Sequence, residues 1–319
     1  MNSIFANSIQ QFVAYKNSLG YPYKESARIL NCFDLFCYSE HPDKSVLDQE
    51  LCLHWCERKS SESLGSYRNR IIVLREFAKY LRGNGMPAYT IPISVTRKPK
   101  RYIPHIFTDE EIQAFFRAAD SFEAHQCAPV RHFVIPVFFR LLYFCGLRPS
   151  EARLLRKENM DLKNGILHIL ESKGHKDRFV TLSKEMTEML QKYTNLVSKV
   201  YPETPFLFPR HDGNGPYSMQ WSEKMFWRCF AMAGVTDFAG TKPRVYDFRH
   251  TFATNCIHRW VREGKDINAM LPYLSAYMGH VLIKDTAYYI HLVPNSFEKM
   301  AKVNISAYES LFPEVPYED

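Results

Sequence analysis

Pro87, Pro92, Pro99 and Pro104 punctuate one short stretch of the chain. Proline has no backbone N–H and its ring clashes with the preceding helical turn, so no continuous helix crosses such a segment. The stretch is also basic, with Arg97, Lys98, Lys100 and Arg101 inside it. It reads as a linker over 87–106, dividing the 319 residues into an N-terminal domain, 1–86, and a larger C-terminal domain, 107–319. Two cores are therefore expected, and the hydrophobic content of 46% is enough to fill both.

Charge is divided unevenly across that boundary. Residues 1–106 hold 15 Lys and Arg against 9 Asp and Glu, while the remainder is nearly balanced at 26 against 25. A basic first third points to a polyanionic partner. The segments before the linker carry helical periodicity: Ile4, Ile9, Phe12 and Val13 first, then, after Gly20-Tyr21-Pro22, the run Ala27, Leu30, Phe33, Leu35 and Phe36. The clearest helix spans Ser66 to Leu81, with Ile71, Ile72, Leu74, Phe77, Ala78 and Leu81 inward and Gly83-Asn84-Gly85 as its stop. Arg68, Arg70, Arg75, Lys79 and Arg82 rim it. They form either a solvated face or a phosphate-contacting one.

The second domain opens on a capping box, Thr108 to Glu111. A helix follows over about 130–145, ending at Gly146, and a short one begins at Pro149. Ile166 to Leu170 and Phe179 to Leu182 read as the two strands of a hairpin turning at 172–177. Further helices fit 183–200, 219–233, 247–260 and 295–311. The fold class is thus mainly α, with one small antiparallel β-sheet.

Several classes are disfavoured. No segment has the ~18 uninterrupted apolar residues of a membrane span. The start, Met1-Asn2-Ser3, does not read as a signal peptide, so a cytoplasmic protein is expected. The eight cysteines read as reduced thiols. Cys32, Cys37, Cys52, His54 and Cys56 cluster in sequence but lack the spacing of a zinc knuckle, which favours buried thiols over a metal site. Phosphate-binding loops, dinucleotide fingerprints, a nucleophile-elbow serine and tight acidic clusters are all missing.

Four segments remain: Gly146-Leu147-Arg148-Pro149-Ser150-Glu151, Ser172-Lys173-Gly174-His175-Lys176-Asp177-Arg178, Tyr246-Asp247-Phe248-Arg249-His250-Thr251-Phe252-Ala253-Thr254, and Met278-Gly279-His280 with Tyr289 nine residues on. Each alone has an ordinary explanation: Arg148 paired with Glu151, Lys173 as an exposed turn lysine, Arg249 bridging helices, Tyr289 as a core ring. In this order they resemble the tyrosine recombinase (phage integrase) family, and the resemblance covers most of the chain. That family carries an arginine in a G-L-R-x-S-E turn, a lysine on a β-hairpin, H-x-L-R-H-T-F-A-T, L-G-H, and a tyrosine about nine residues past that histidine. The matching positions are Arg148, Lys173, Arg249, His280 and Tyr289; Thr286 and His291 fit as well. Tyr288 competes with Tyr289, but the spacing from His280 favours Tyr289. One position departs: Tyr246 stands where the family usually has histidine. A phenol with a pKa near ~10 can hydrogen-bond a phosphate but is a poor proton shuttle at neutral pH.

The resemblance implies a SAM-like helical core-binding domain before the linker and a DNA breaking-rejoining catalytic fold after it. It implies a site-specific recombinase or integrase that cleaves and rejoins duplex DNA through a 3′-phosphotyrosine, without metal, ATP or other cofactor, for integration, excision or transposition. Four protomers would assemble on the DNA, with accessory DNA-bending or directionality factors as further partners. An amphipathic segment with Phe297, Met300, Ile305, Tyr308 and Leu311 would dock on the next protomer or pack on its own domain. The start of the first domain close to Met1 leaves little room for an additional arm-binding domain. Expected DNA contacts are Arg68, Arg70, Arg75, Arg97, Lys98, Lys100 and Arg101. Two other readings are a relaxing enzyme like the type IB topoisomerases and an inactive sequence-specific DNA-binding regulator.

Overall fold

The computed structural model describes residues 2–21, 23–92, 94, 102–172, 176–238 and 241–292. The chain divides into two compact units, Met1–Tyr102 and Ile103–Asp319. The division falls inside the proline-rich stretch, but both ends of that stretch pack into their own unit. Ile91 is fully buried in the first unit, where Ala88 also bridges Leu47. His105 is buried in the second, bonded to Glu111 and packed edge-on to Phe107.

Helices α1 (Ala6–Ser18), α2 (Lys24–Glu40), α3 (Gln49–Trp55) and α4 (Leu64–Gly83) build the first unit. Side-chain oxygens of Asp48 and Ser63 accept the first free N–H groups of α3 and α4, which would otherwise lack partners at the helix starts. Phe12, Leu30, Phe33, Trp55, Leu74 and Phe77 meet at the centre. On α2 the inward face is Leu30, Phe33 and Cys37, so Leu35 points out at 57% exposure. On α4, Val73 takes the buried place expected for Ile72, which is only half-buried.

The second unit begins with α5 (Asp109–Asp120), whose start carries the expected capping box: Thr108 Oγ1 accepts from Glu111 N, and Glu111 Oε2 from Thr108 N. α6 (Arg131–Cys145) is buried along nearly its whole length. α8 (Lys184–Val200), α9 (Met219–Met232) and α10 (Asp247–Arg262) complete the larger helices, and Phe115, Phe139, Phe226, Phe230 and Phe248 form the aromatic centre. The short α7 (Pro149–Leu154) leads to an antiparallel sheet ordered β1 (Met160–Asp161), β2 (Ile166–Ser172), β3 (Lys176–Thr181).

Besides short 3-10 turns, three elements of the described residues were not anticipated from the sequence. They are β1, α11 (Ile267–Met278) and α12 (Ile283–Ala287), the last followed by a 3-10 turn over Tyr288–Leu292. Pro272 inside α11 hides that helix from a periodicity reading. The helix persists because Asp266 caps it and Leu271, Leu274 and Met278 are buried. Among the described residues no helix is long and apolar enough to cross a membrane. The terminal segment beyond Leu292, including the predicted helix, lies outside the described residues, as do Arg97, Lys98, Lys100, Arg101 and Lys173.

Candidate active site

Two left-handed glycines set the geometry. Gly146 ends α6 at φ 60° and Gly279 ends α11 at φ 63°, a backbone region that a side chain disfavours. A Cβ at Gly146 would collide with the Phe252 ring, and one at Gly279 would stand 3.1 Å from the Arg178 guanidinium. Each glycine also offers its carbonyl to a catalytic candidate: Gly146 O accepts from Arg249 Nη1 at 2.6 Å, and Gly279 O from Arg148 Nη2 at 2.9 Å.

Arg148 occupies the extended position before α7, where Pro149 starts the helix. Glu151, one turn on, takes the Arg148 backbone N–H at 2.8 Å and its Nη1 at 2.6 Å. The pairing considered as an ordinary alternative is therefore real, and it is part of the site. Burial disfavours the charge of Arg148, but Glu151 and the phenol oxygen of Tyr246, which accepts a hydrogen bond from it, more than offset this and raise its pKa. Burial likewise disfavours the Glu151 carboxylate, yet bonds from Arg178 and Arg148 hold it at about 2.

Arg249 lies on α10 and is fully buried. Its Nη groups donate to the carbonyls of Gly146 and Met278, and no carboxylate among the described residues forms an ion pair with it. Burial brings its pKa down to about 10. His280, just past Gly279, sits with Nε2 3.3 Å from Arg249 Nη2 and Nδ1 2.7 Å from Thr286 Oγ1. A guanidinium only donates, so this network assigns the imidazole proton to Nδ1, which donates to Thr286, and leaves Nε2 as acceptor. Burial, then the charges of Arg249, Arg148 and Arg178, push His280 down to about 3, so it is neutral at physiological pH.

Tyr289 is 3% exposed in the 3-10 turn after α12. Its ring stacks at 6.1 Å from His280 and stands 5.5 Å from His250. Burial raises its pKa, against the opposing pull of Arg249 and Arg148. Tyr246 is 37% exposed, with its ring 5.1 Å from His250. Arg148, Arg249, His280, Tyr246 and Tyr289 thus come together from the α6–α7 turn, α10, the end of α11 and the final turn.

Two residues that sequence reasoning passed over belong to this assembly. His250 lies between the Tyr246 and Tyr289 rings. Arg178 donates to Glu151 through both Nη atoms, at 2.9 and 2.8 Å, and to Tyr277 O through Nε at 2.7 Å. Strand alternation carried a signal for Arg178. Ile169 pairs with Arg178 and Leu167 with Val180, so Arg178 shares the inward face with three buried apolar residues while Phe179 is exposed. A charged residue on that face requires a buried partner.

Glu151 pairs with Arg148 and Arg178, and no carboxylate among the described residues pairs with Arg249. The Arg249 guanidinium is thus a surplus buried positive charge beside a phenol. In the first unit the outcome differs. Arg68 and Arg75 on α4 are half-buried, and the Nε of each has no partner among the described residues. Arg70, also expected to contact DNA, is turned inward onto Glu62, Trp55 O and Glu57 O, so its guanidinium is not available to a phosphate. Cys37, Cys52 and Cys56 are buried thiols whose pKa burial raises, and no group of three metal-ligating side chains exists among the described residues.

The pattern of the phage integrase family matches residues 105–296. The Sinorhizobium fredii protein y4rB, named as an integrase/recombinase, is 30% identical over 90% of this chain and 93% of its own length. Tyrosine recombinase XerC of Lactobacillus delbrueckii subsp. bulgaricus is 27% identical over 69% of each chain. Among solved structures, the XerH site-specific recombinase bound to a palindromic difH substrate aligns at TM-score 0.61 and 21% identity, covering 87% of this chain and 77% of that one. A lambda integrase dimer on a core site aligns at TM-score 0.63 and 15% identity, covering 89% and 94%. A mostly helical fold of this kind, with arginines, histidine and tyrosine gathered beside a small sheet, defines a tyrosine-type DNA strand transferase. The chain belongs to the phage integrase family.

Proposed function

We propose that this chain cleaves and rejoins duplex DNA at specific sites, with Tyr289 as the covalent nucleophile. The observation that carries the reading is the buried surplus of guanidinium charge beside the Tyr289 phenol. Unbalanced buried charge is costly and calls for a counter-ion, and a DNA phosphate is one of the right shape and sign. Arg148 and Arg249 each offer a fork of donors to the non-bridging oxygens, where charge grows as phosphorus becomes five-coordinate. The Tyr289 Oη–P bond forms and the P–O5′ bond breaks. The phenol loses its proton, and the departing 5′ oxygen gains one from Lys173, the residue the family resemblance assigns as general acid. The product is a 3′-phosphotyrosine and a free 5′ hydroxyl. Reversal restores the phosphodiester, so neither ATP nor metal is required.

His280 is neutral, and with its pKa at about 3 it can receive the phenol proton only once the phosphate anion offsets the arginine charges that hold that value down. Tyr246 bonds to Arg148 and braces the phosphate rather than moving protons. The first unit, through Arg68 and Arg75, with Arg97, Lys98, Lys100 and Arg101 after it, would hold the duplex as a core-binding domain. Recombination would proceed in the cytoplasm in a tetramer exchanging strands pairwise, for integration, excision or transposition.

The test is covalent capture. A target selected by binding from a random-sequence duplex pool is nicked near the cleavage point, so that the cut strand diffuses away and the adduct persists. The unaltered protein gives an adduct that maps to Tyr289, and Tyr289→Phe gives none while binding the same DNA. Full capture by the Phe variant sinks the assignment and moves it to Tyr288.

A further inference from the structure

The Glu151 carboxylate and the Gly279 carbonyl both hold Arg148. Arg178 touches both. Its two Nη atoms hold the same carboxylate, and its guanidinium lies where a Cβ on Gly279 would come within 3.1 Å. Its Nε is fixed in turn by the Tyr277 carbonyl. The three side chains are all deeply buried, with the Glu151 and Arg178 side chains at 6% and 7% exposure. Resting on the reading of Arg148 and Tyr289 given above, we infer that Arg178 is a positioning residue for strand cleavage: it shares Glu151 and packs on Gly279, and so fixes how the Arg148 guanidinium is turned.

Two physical effects combine. The first is geometric. Two parallel N–H···O bonds between an arginine and a carboxylate are strong and directional, so the Arg178 pair fixes how the Glu151 carboxylate is turned. Glu151 accepts from both Nη atoms of Arg178 and also from Nη1 of Arg148, so the turn of the carboxylate sets the turn of the Arg148 guanidinium. The second is electrostatic. Arg148 with Glu151 alone is a neutral pair, whereas the second guanidinium restores a positive charge to face the incoming anion. Arg178 has no need to touch DNA for either effect. Strand register supplies the position, since pairing with Ile169 turns residue 178 inward, toward α7 and the end of α11.

The experiment compares two versions of the selected nicked duplex, one with an ordinary scissile phosphate and one with a methylphosphonate there. The methyl group removes the non-bridging charge that Arg148 would neutralise, so catalysis on that substrate no longer depends on the placing of the Arg148 guanidinium. For Arg178→Gln, single-turnover capture falls about 30-fold on the phosphate, as for outer-shell partners generally. On the methylphosphonate it changes by less than about threefold, a criterion set against that expected loss. Arg178→Lys retains the charge without the fork and recovers part of the rate. If the Gln variant melts below the assay temperature, the Lys variant carries the same ratio test. A purely structural role lowers capture on both substrates in parallel, and that result overturns the inference. So does capture by both variants equal to that of the unaltered protein. No adduct from the unaltered protein on either substrate overturns the reading of Tyr289, and the inference with it.

Discussion

Each unit of this chain buries arginine, and the two do so in opposite ways. In the first, Arg70 meets one carboxylate, Glu62, through Nε and Nη2, gives its remaining donors to Trp55 O and Glu57 O, and lies 4.8 Å from the Trp55 ring centre. Charge balances one to one. In the second, Glu151 pairs with both Arg148 and Arg178, while Arg249 meets two backbone carbonyls and His280 and pairs with no carboxylate among the described residues. A balanced buried pair needs nothing further. An unbalanced cluster favours an anion beside it. On the function proposed above, the difference separates an arginine that organises a core from arginines that would receive a phosphate, although all four side chains are buried.

The largest expected effect tests the balanced side. Arg70→Ala leaves Glu62 and two carbonyls without their donors and costs about 3–5 kcal/mol of stability. The double replacement Arg70→Met with Glu62→Leu removes both charges together and recovers most of that loss. Urea unfolding of the single and double variants measures both. A double variant as unstable as the single would mean that Arg70 does more than balance Glu62, and the comparison would lose one arm.

Next comes the unbalanced side. Arg249→Lys keeps a cation but loses the planar fork, and a lysine in that buried place can shed its proton. Covalent capture falls about 100- to 1000-fold, the scale of removing one transition-state donor. Thermal stability changes little, because the replacement relieves part of the uncompensated charge. A large loss of stability with unchanged capture on the folded fraction would put Arg249 in the same class as Arg70.

This contrast also marks what the sequence could and could not reveal. Arg148, Arg249, His280 and Tyr289 sit in motifs whose spacing is set by turns: Gly146 and Gly279 must be glycine, and that leaves a visible trace. The capping box at Thr108 and the hairpin strands were equally legible, because each rests on contacts within a few residues. Arg70 was not. On a helix rim it looked like its neighbours Arg68 and Arg75, and only Glu62, eight residues back in an unrelated turn, reveals its inward orientation. Arg178 depends on a partner 27 residues away. Helix α11 was obscured by Pro272, since local propensity argues against the helix that tertiary burial of Leu271, Leu274 and Met278 enforces. Partners distant in sequence decide these cases, and periodicity does not register them.

A smaller effect follows from the surplus charge itself. Sulfate, a phosphate-like dianion, binds the folded cluster and raises the melting temperature of the unaltered protein. At about tenfold its dissociation constant the stabilisation is about 1.4 kcal/mol. Sodium chloride at equal ionic strength serves as the control. The Arg70→Met, Glu62→Leu variant keeps the whole shift, and Arg249→Lys loses most of it. Equal sulfate shifts in both variants would show that the anion binds elsewhere.

The smallest effect is acid sensitivity through His280. Burial, followed by the charges of Arg249, Arg148 and Arg178 and by His250, depresses its pKa from 6.5 to about 3. Below pH 6.5 the unfolded chain therefore takes up a proton at this histidine that the folded chain refuses. The contribution is complete above the unfolded value and declines as pH falls from 6.5 toward 3. One pH unit in that window is worth about 1 kcal/mol. Glu151, held at about 2 against an ordinary 4.5, begins to contribute loss only below that ordinary value, so the range from 6.5 to 5.5 isolates the histidine. Unfolding of the unaltered protein and of His280→Gln at those two pH values should differ in slope by that amount, with the variant less acid-sensitive. Parallel slopes would mean that the surplus cations do not reach His280, and the cluster would then be electrostatically closer to the balanced Arg70 site than its geometry implies.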